Sequence, residues 1–160
     1  MHMKPPIGAT LDKSHPLADG LVGAWLMNEG GGLVAHDLSG NGNDGTFGGN
    51  VDWDYDYTDL PGGGGDFVQM NKQVDWSSGF SAVVLCRMDA PKNCGLCTDM
   101  DQANFKSKGA CLALRSARSI WVLIGDRVVA ETSTLYPLGK WFFVAATWAP
   151  GGSGHIYRWC

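Results

Sequence analysis

"GLVGAWLMNEGGGLVAHDLSGNGNDGTF", Gly20 to Phe47, sets an apolar run against a stretch crowded with glycine, asparagine and aspartate. Gly30, Gly31, Gly32, Gly40, Gly42 and Gly45 fall between hydrophobic segments, with no Pro among them. Three architectures compete for such a loop: a phosphate cradle, a cation-binding loop, or the tight turn of an all-β fold. A Walker loop needs G-x-x-x-x-G-K-[ST], and no Lys or Arg occurs from Asn28 to Phe47. A Rossmann loop must open a helix, which "NDGTFGGNV" does not do. What remains is a turn, because Gly, Asn and Asp tolerate positive φ and fold polar side chains back on nearby amides. Asp37, Asn41 and Asn43 also carry hard oxygen ligands of the kind that gather calcium. On these residues a structural turn and a calcium loop both stand open.

Bulk properties agree with many turns and few long helices. The chain has 160 residues, enough for a single domain with a real core, and it includes 23 Gly and 7 Trp. Its formal charge is −4, and its 12 Lys and Arg are scattered rather than clustered, which argues against a nucleic-acid partner. No apolar run approaches the roughly 18–20 residues of a membrane-spanning helix, so no membrane insertion is expected. The opening "MHMKPPIGATLDKSHPLADG" lacks the apolar core of a secretion signal. The expectation is therefore synthesis in a cytosol, with any role outside the cell reached by another exit.

Working outward, short apolar runs recur at roughly eight-to-twelve-residue spacing. The first, Leu21–Met27, reads as a strand, and so do "FVQMNKQV", "ACLALRSA", "SIWVLIGD", "RVVAETST", "KWFFVAATWAP" and "HIYRWC". In "FSAVVLCRMD", Phe80, Ala82, Val84, Cys86 and Met88 share one face. Val83 and Leu85 lie on the other, which predicts a strand buried on both sides. Arg115–Ser119 and Gly125-Asp126 read as turns, and Trp121, Trp141, Phe142, Phe143 and Trp148 as core. No segment shows a helical stripe. The fold class is all-β, a two-sheet antiparallel jelly-roll sandwich over residues 21–160, preceded by an N-terminal arm over residues 1–20.

The five cysteines are Cys86, Cys94, Cys97, Cys111 and Cys160. Cys94 and Cys97 form a C-x-x-C that reads as part of a polar loop. Zinc usually takes two such pairs, whereas Cys86 and Cys111 stand alone, so plain reduced thiols are expected rather than zinc at Cys86/Cys94/Cys97/Cys111. A redox motif would open a helix in a βαβ unit, which this one does not.

"NVDWDYDYTDLPGGGGDF" alternates Asp52, Asp54 and Asp56 with Trp53, Tyr55 and Tyr57, so an extended chain would show carboxylates on one face and rings on the other. It fails as an EF-hand loop, because Tyr57 stands where Gly is needed and Gly63 where Glu is needed. One reading is a solvated acidic strand with inward rings. The other is a sugar-stacking platform in which rings pack on pyranose C–H faces and carboxylates accept hydroxyl hydrogen bonds, with Trp76 joining them. Catalysis is not expected. Glycosidases need paired carboxylates, and this chain has only Glu29 and Glu131, far apart. No Ser or Cys motif surrounds His2, His15, His36 or His155.

"GLVGAWLMNEGGG…AHDLSGNGNDGTF", "FSAVVLCRMD" and "NFKSKGACLALRSARSIWVLIGDRVVAETSTLYPLGKWFFVAATWAPGGSGHIY" together resemble laminin-G-like jelly rolls of the concanavalin A-like lectin/glucanase superfamily. The resemblance runs from about Leu21 to Tyr157, and the leader is similar to leaders on jelly-roll proteins encoded by tailed bacteriophages. It implies a glycan-binding, lectin-like module displayed on a virion or extracellular surface, which calcium would assist if the Asp37, Asn41 and Asn43 loop is the calcium loop rather than the structural turn. Glucanases of that superfamily carry E-x-D-x-E on one strand, which this chain lacks. Members also continue past the Tyr into further strands, the last of which lies beside the first, so the resemblance implies an open sheet edge along Leu21–Met27. That edge would be covered by the arm, by another subunit, or by more chain. The second expectation is accordingly a structural protein, a virion decoration or filament subunit, that forms homo-oligomers or particles through that edge.

Overall fold

Period-two alternation cut by glycine turns gives strands wherever the described chain is regular. The structure is a computed structural model that describes residues 5–6, 8–54, 57–61, 66–71, 78–98 and 110–159. Twelve strands and one 3₁₀ turn, Pro16–Ala18, make up its regular elements, and every strand pair is antiparallel. The protein is all-β. By contacts the chain divides into two units, Met1–Val74 and Asp75–Cys160.

In the first unit, β1 (Val34–Ala35), β2 (Gly45–Gly48) and β5 (Phe67–Met70) form a sheet in the order β1-β2-β5. A separate hairpin joins β3 (Asp52–Trp53) to β4 (Thr58–Asp59). Strand β2 places Gly48 directly opposite Phe67, whose ring lies over the space that a side chain would fill. An aromatic ring thus shields backbone that glycine leaves bare. The expected strand at Leu21–Met27 is not formed. Its partners are the turn that follows β1: Leu38 N–H donates to the Ala24 carbonyl at 2.8 Å, and Asn41 Nδ2 donates to the Leu21 carbonyl at 2.7 Å. Apolar composition marked an extended segment, but a backbone bond and side chains of that turn, rather than a strand neighbour, hold it.

The second unit contains β6 (Phe80–Arg87), β7 (Cys94–Thr98), β8 (Ala110–Leu114), β9 (Ile120–Ile124), β10 (Arg127–Glu131), β11 (Trp141–Trp148) and β12 (His155–Trp159). They form a four-stranded sheet, β10-β9-β8-β7, and a three-stranded sheet, β12-β11-β6. Leu112, Leu114, Ile120 and Val122 of the first meet Phe142, Val144 and Ala146 of the second, with Tyr136 sealed among them. This is a sandwich-like core. Tyr136 comes from the segment between the sheets; its ring stacks on Phe142 at 5.8 Å and its hydroxyl donates to the Arg115 carbonyl at 3.0 Å. Burial pushes its phenol above the ordinary value, though Arg118 and a nearby hydrogen bond pull the other way.

The expected inward face of β6 is found: Phe80, Ala82, Val84, Cys86 and Met88 all pack on this core. Its other face differs from expectation, since Val83 is 64% exposed. Phe143 likewise points away from the core it was assigned to. Alternation separates two faces of a strand but does not say that both are covered. The C-x-x-C lies in strand β7, with a register shift between Gly95 and Cys97, rather than in a polar loop. The turns at Arg115–Ser119 and Gly125-Asp126 are as read from sequence, closing β8–β9 and β9–β10. Gly79 enters β6 at φ +103°, where a β-carbon would stand 2.8 Å from the Trp148 carbonyl oxygen.

Candidate functional site

Asp37 organises the glycine-rich turn. Its Oδ1 accepts from the Ala24 and Ser39 amides at 3.0 and 2.9 Å, and its Oδ2 from the Ser39 hydroxyl and Asn43 amide at 2.7 and 3.0 Å. Those four donors occupy the roughly four acceptor positions of a carboxylate. Burial pushes the carboxyl up, but the hydrogen bonds from Asn43, Ala24 and Ser39 outweigh it and hold Asp37 below its ordinary value. Asn41 Nδ2 points into the turn, bonding the Leu21 and Val22 carbonyls, and Asn43 is buried, its carbonyl receiving the Trp25 indole N–H at 2.9 Å. The residues that could hold calcium are thus brought together, with both Asp37 carboxylate oxygens and the Asn41 Nδ2 directed at protein. Among the described residues, no group of three or more His, Cys, Asp or Glu side chains is placed to hold a metal ion.

The acidic stretch is a hairpin rather than one extended strand. The chain reverses between Asp54 and Tyr57, where the Asp54 amide donates to the Tyr57 carbonyl at 3.1 Å. Asp52 stands opposite Asp59 and Trp53 opposite Thr58. Asp52 and Asp54 are exposed while Trp53 between them is half-buried, so the expected alternation holds over these three residues. Trp53 packs edge-on against Phe47, with ring centroids 5.0 Å apart, and its indole N–H donates to the Gly32 carbonyl at 3.1 Å. Tyr57 is half-buried on the opposite arm. Tyr55, Asp56 and Trp76 lie outside the described residues.

Cys86, Cys94 and Cys111 are free thiols. Burial pushes the Cys86 thiol up to about 12, and the neighbouring Cys94 adds to the shift. Cys94 is raised as well, chiefly by burial. Such groups behave as small hydrophobes rather than nucleophiles.

The feature that sequence reading missed is the outer face of the β12-β11-β6 sheet. Register aligns Leu85, Phe143 and Trp159 in one row, and Val83, Ala145 and Tyr157 in the next. Because Phe142 and Val144 point into the core, all six of these alternate residues face outward. Tyr157 is 54% exposed, Trp159 48% and Phe143 37%. Phe143 and Trp159 stack across the strands at 5.3 Å with an interplanar angle of 15°. Rings held this way stand up from the sheet, leaving the far face of Trp159 at its edge. The available signal was the alternation of His155, Tyr157 and Trp159 about Ile156 and Arg158. Comparisons with family models, with curated proteins and with solved structures each return no match.

Proposed function

We propose that the chain is a non-catalytic, lectin-like recognition module of jelly-roll type, and that it holds a glycan on the open face of β12-β11-β6. The observation that carries this reading is the exposure of Phe143, Tyr157 and Trp159 together on one rigid sheet face. A contiguous exposed apolar patch marks an interaction surface, and flat rings with a polar handle suit the C–H faces and hydroxyls of a sugar. The acidic hairpin is the weaker platform, since the Trp53 ring and indole N–H are already engaged by Phe47 and Gly32. Calcium has no part in this reading, because Asp37 is occupied by protein donors. The resemblance to laminin-G-like domains supports the jelly-roll topology, and with it display on a virion or extracellular surface.

A glycan array with the intact chain, followed by titration of the bound sugars, tests this. Trp159→Ala is expected to weaken binding about tenfold or more, roughly 1.4 kcal/mol, while Trp53→Ala and EDTA leave it unchanged. An array without hits, or hits indifferent to Trp159→Ala, overturns the reading. The second reading, a structural subunit acting through protein contacts, is supported by a separate observation: within their unit, β12 and β6 are the terminal strands of their three-stranded sheet among the described residues.

A further inference from the structure

On the reading that the aromatic face holds a glycan, we infer that this glycan is a neutral oligosaccharide whose chain continues past Trp159 and Tyr157 into a polar groove beside β12. The groove is open, of about 510 Å³, and is walled by residues 154–158 on one side and 130–134 on the other. That volume is ordinary for a small-molecule site. A wall of five extended residues runs about 17 Å, longer than a single sugar ring.

The two walls are tied to each other at both ends. At one end the Gly154 amide donates to the Val129 carbonyl at 3.3 Å, and a β-carbon on Gly154 would stand 3.0 Å from Val129 Cγ2. At the other, Arg158 Nη1 reaches across to donate to the Leu135 carbonyl at 2.8 Å. The 130–134 wall is also fixed to β9, where the Thr132 amide donates to the Ile120 carbonyl and Thr132 Oγ1 accepts from the Ile120 amide, both at 3.0 Å. Walls held in this way keep the groove formed without a ligand. A chain entering it meets partners already placed, which lowers the cost of ordering them.

The lining decides the chemistry of the occupant. Glu131, Thr132, Ser133, Thr134, His155 and Arg158 all border the groove, and all but Thr132 and Arg158 are exposed. A carboxylate accepts, a guanidinium donates and a hydroxyl does both, which suits the hydroxyls of a sugar. An apolar chain would take these groups out of water and give no bonds in return. Glu131 and Arg158 carry opposite charges that offset each other, so the pair favours neither an acidic nor a basic chain. Tyr157 belongs to this lining and is also 54% exposed on the aromatic face, one row from Trp159. The stacking surface and the polar groove are therefore continuous. Rings that take C–H faces, followed by groups that take hydroxyls, are the two halves of saccharide recognition.

The test titrates the full chain with cello-, malto- and manno-oligosaccharides, from monosaccharide to hexasaccharide, beside oligogalacturonides of equal length. In at least one neutral series, affinity should rise about tenfold or more from disaccharide to hexasaccharide. Ser133→Trp, which fills the groove, should abolish that gain and leave disaccharide binding unchanged, whereas Trp159→Ala should weaken both. Glu131→Gln, which keeps the shape, should reduce the gain about threefold. Oligogalacturonides should bind more weakly than the neutral chains. Equal affinity for short and long chains, a gain that survives both groove variants, or tighter binding of oligogalacturonides overturns the inference and leaves the glycan reading standing. So does silence in all three neutral series while an array glycan binds through Trp159. An array without hits overturns both.

Discussion

In the 75–160 unit, Leu112, Leu114, Ile120, Val122, Tyr136, Phe142, Val144 and Ala146 close one apolar core between two sheets. In the 1–74 unit the buried apolar residues among those described are Ala35 and Phe47, accompanied by the polar Asn28, Ser39 and Asn43. There the organising group is a carboxylate, Asp37, tying Ala24, Ser39 and Asn43 together. One region rests on area removed from water, the other on satisfied backbone donors in glycine-rich turns. The first source of stability is additive over many side chains and indifferent to acid. The second is concentrated in one ionised group and is lost with its charge.

The sharpest way to break this contrast is Tyr136→Ala. Losing a buried aromatic of this size costs about 3–5 kcal/mol. Hydrogen exchange should accelerate across β8, β9 and β11 while amides near Asp37 keep their protection. Equal loss in both regions would show that they unfold as one.

A smaller effect is expected from Asp37→Ala, about 2 kcal/mol, since several donors lose an ionised acceptor but can partly rehydrate. The change should be confined to the Ala24, Ser39 and Asn43 amides. The sign with pH follows from the lowered carboxyl of Asp37. Its contribution is complete above the ordinary value of 3.8 and disappears as pH falls through the lower folded value. Those three amide resonances should titrate together below pH 3.8, while β8 and β11 resonances stay fixed. The smallest effect belongs to Val83→Thr on the open sheet face, within about 0.5 kcal/mol by denaturant titration, because the side chain is already wet. A larger loss would mean that this face is covered in solution.

Much of the 75–160 unit could be read from its residues. Phe80 to Met88 alternate so cleanly that their inward face was legible, and Gly125-Asp126 announces a two-residue hairpin turn. Val83 and Phe143 were misplaced because their apolar character suits either a second buried layer or an exposed recognition face, and alternation is blind to the difference. Leu21–Met27 looked like a strand because it is apolar and extended, yet its hydrogen-bond partners lie in a polar turn more than ten residues downstream. The reversal at Asp54–Tyr57 depends on Thr58–Asp59 pairing back on Asp52–Trp53, a choice that local propensity does not impose. As for the candidate site, the glycine turn was visible as a cluster of oxygen-bearing residues. The direction in which those oxygens point was not.

Composition and period alone determined an all-β chain with tight polar turns, because glycine placement and apolar alternation act residue by residue. Tertiary structure decided which strands became edges, which apolar faces stayed wet, and whether Asp37 faced protein or solvent. These outcomes depend on neighbours distant in sequence, and a strand carries the same two faces whether or not anything arrives to cover them.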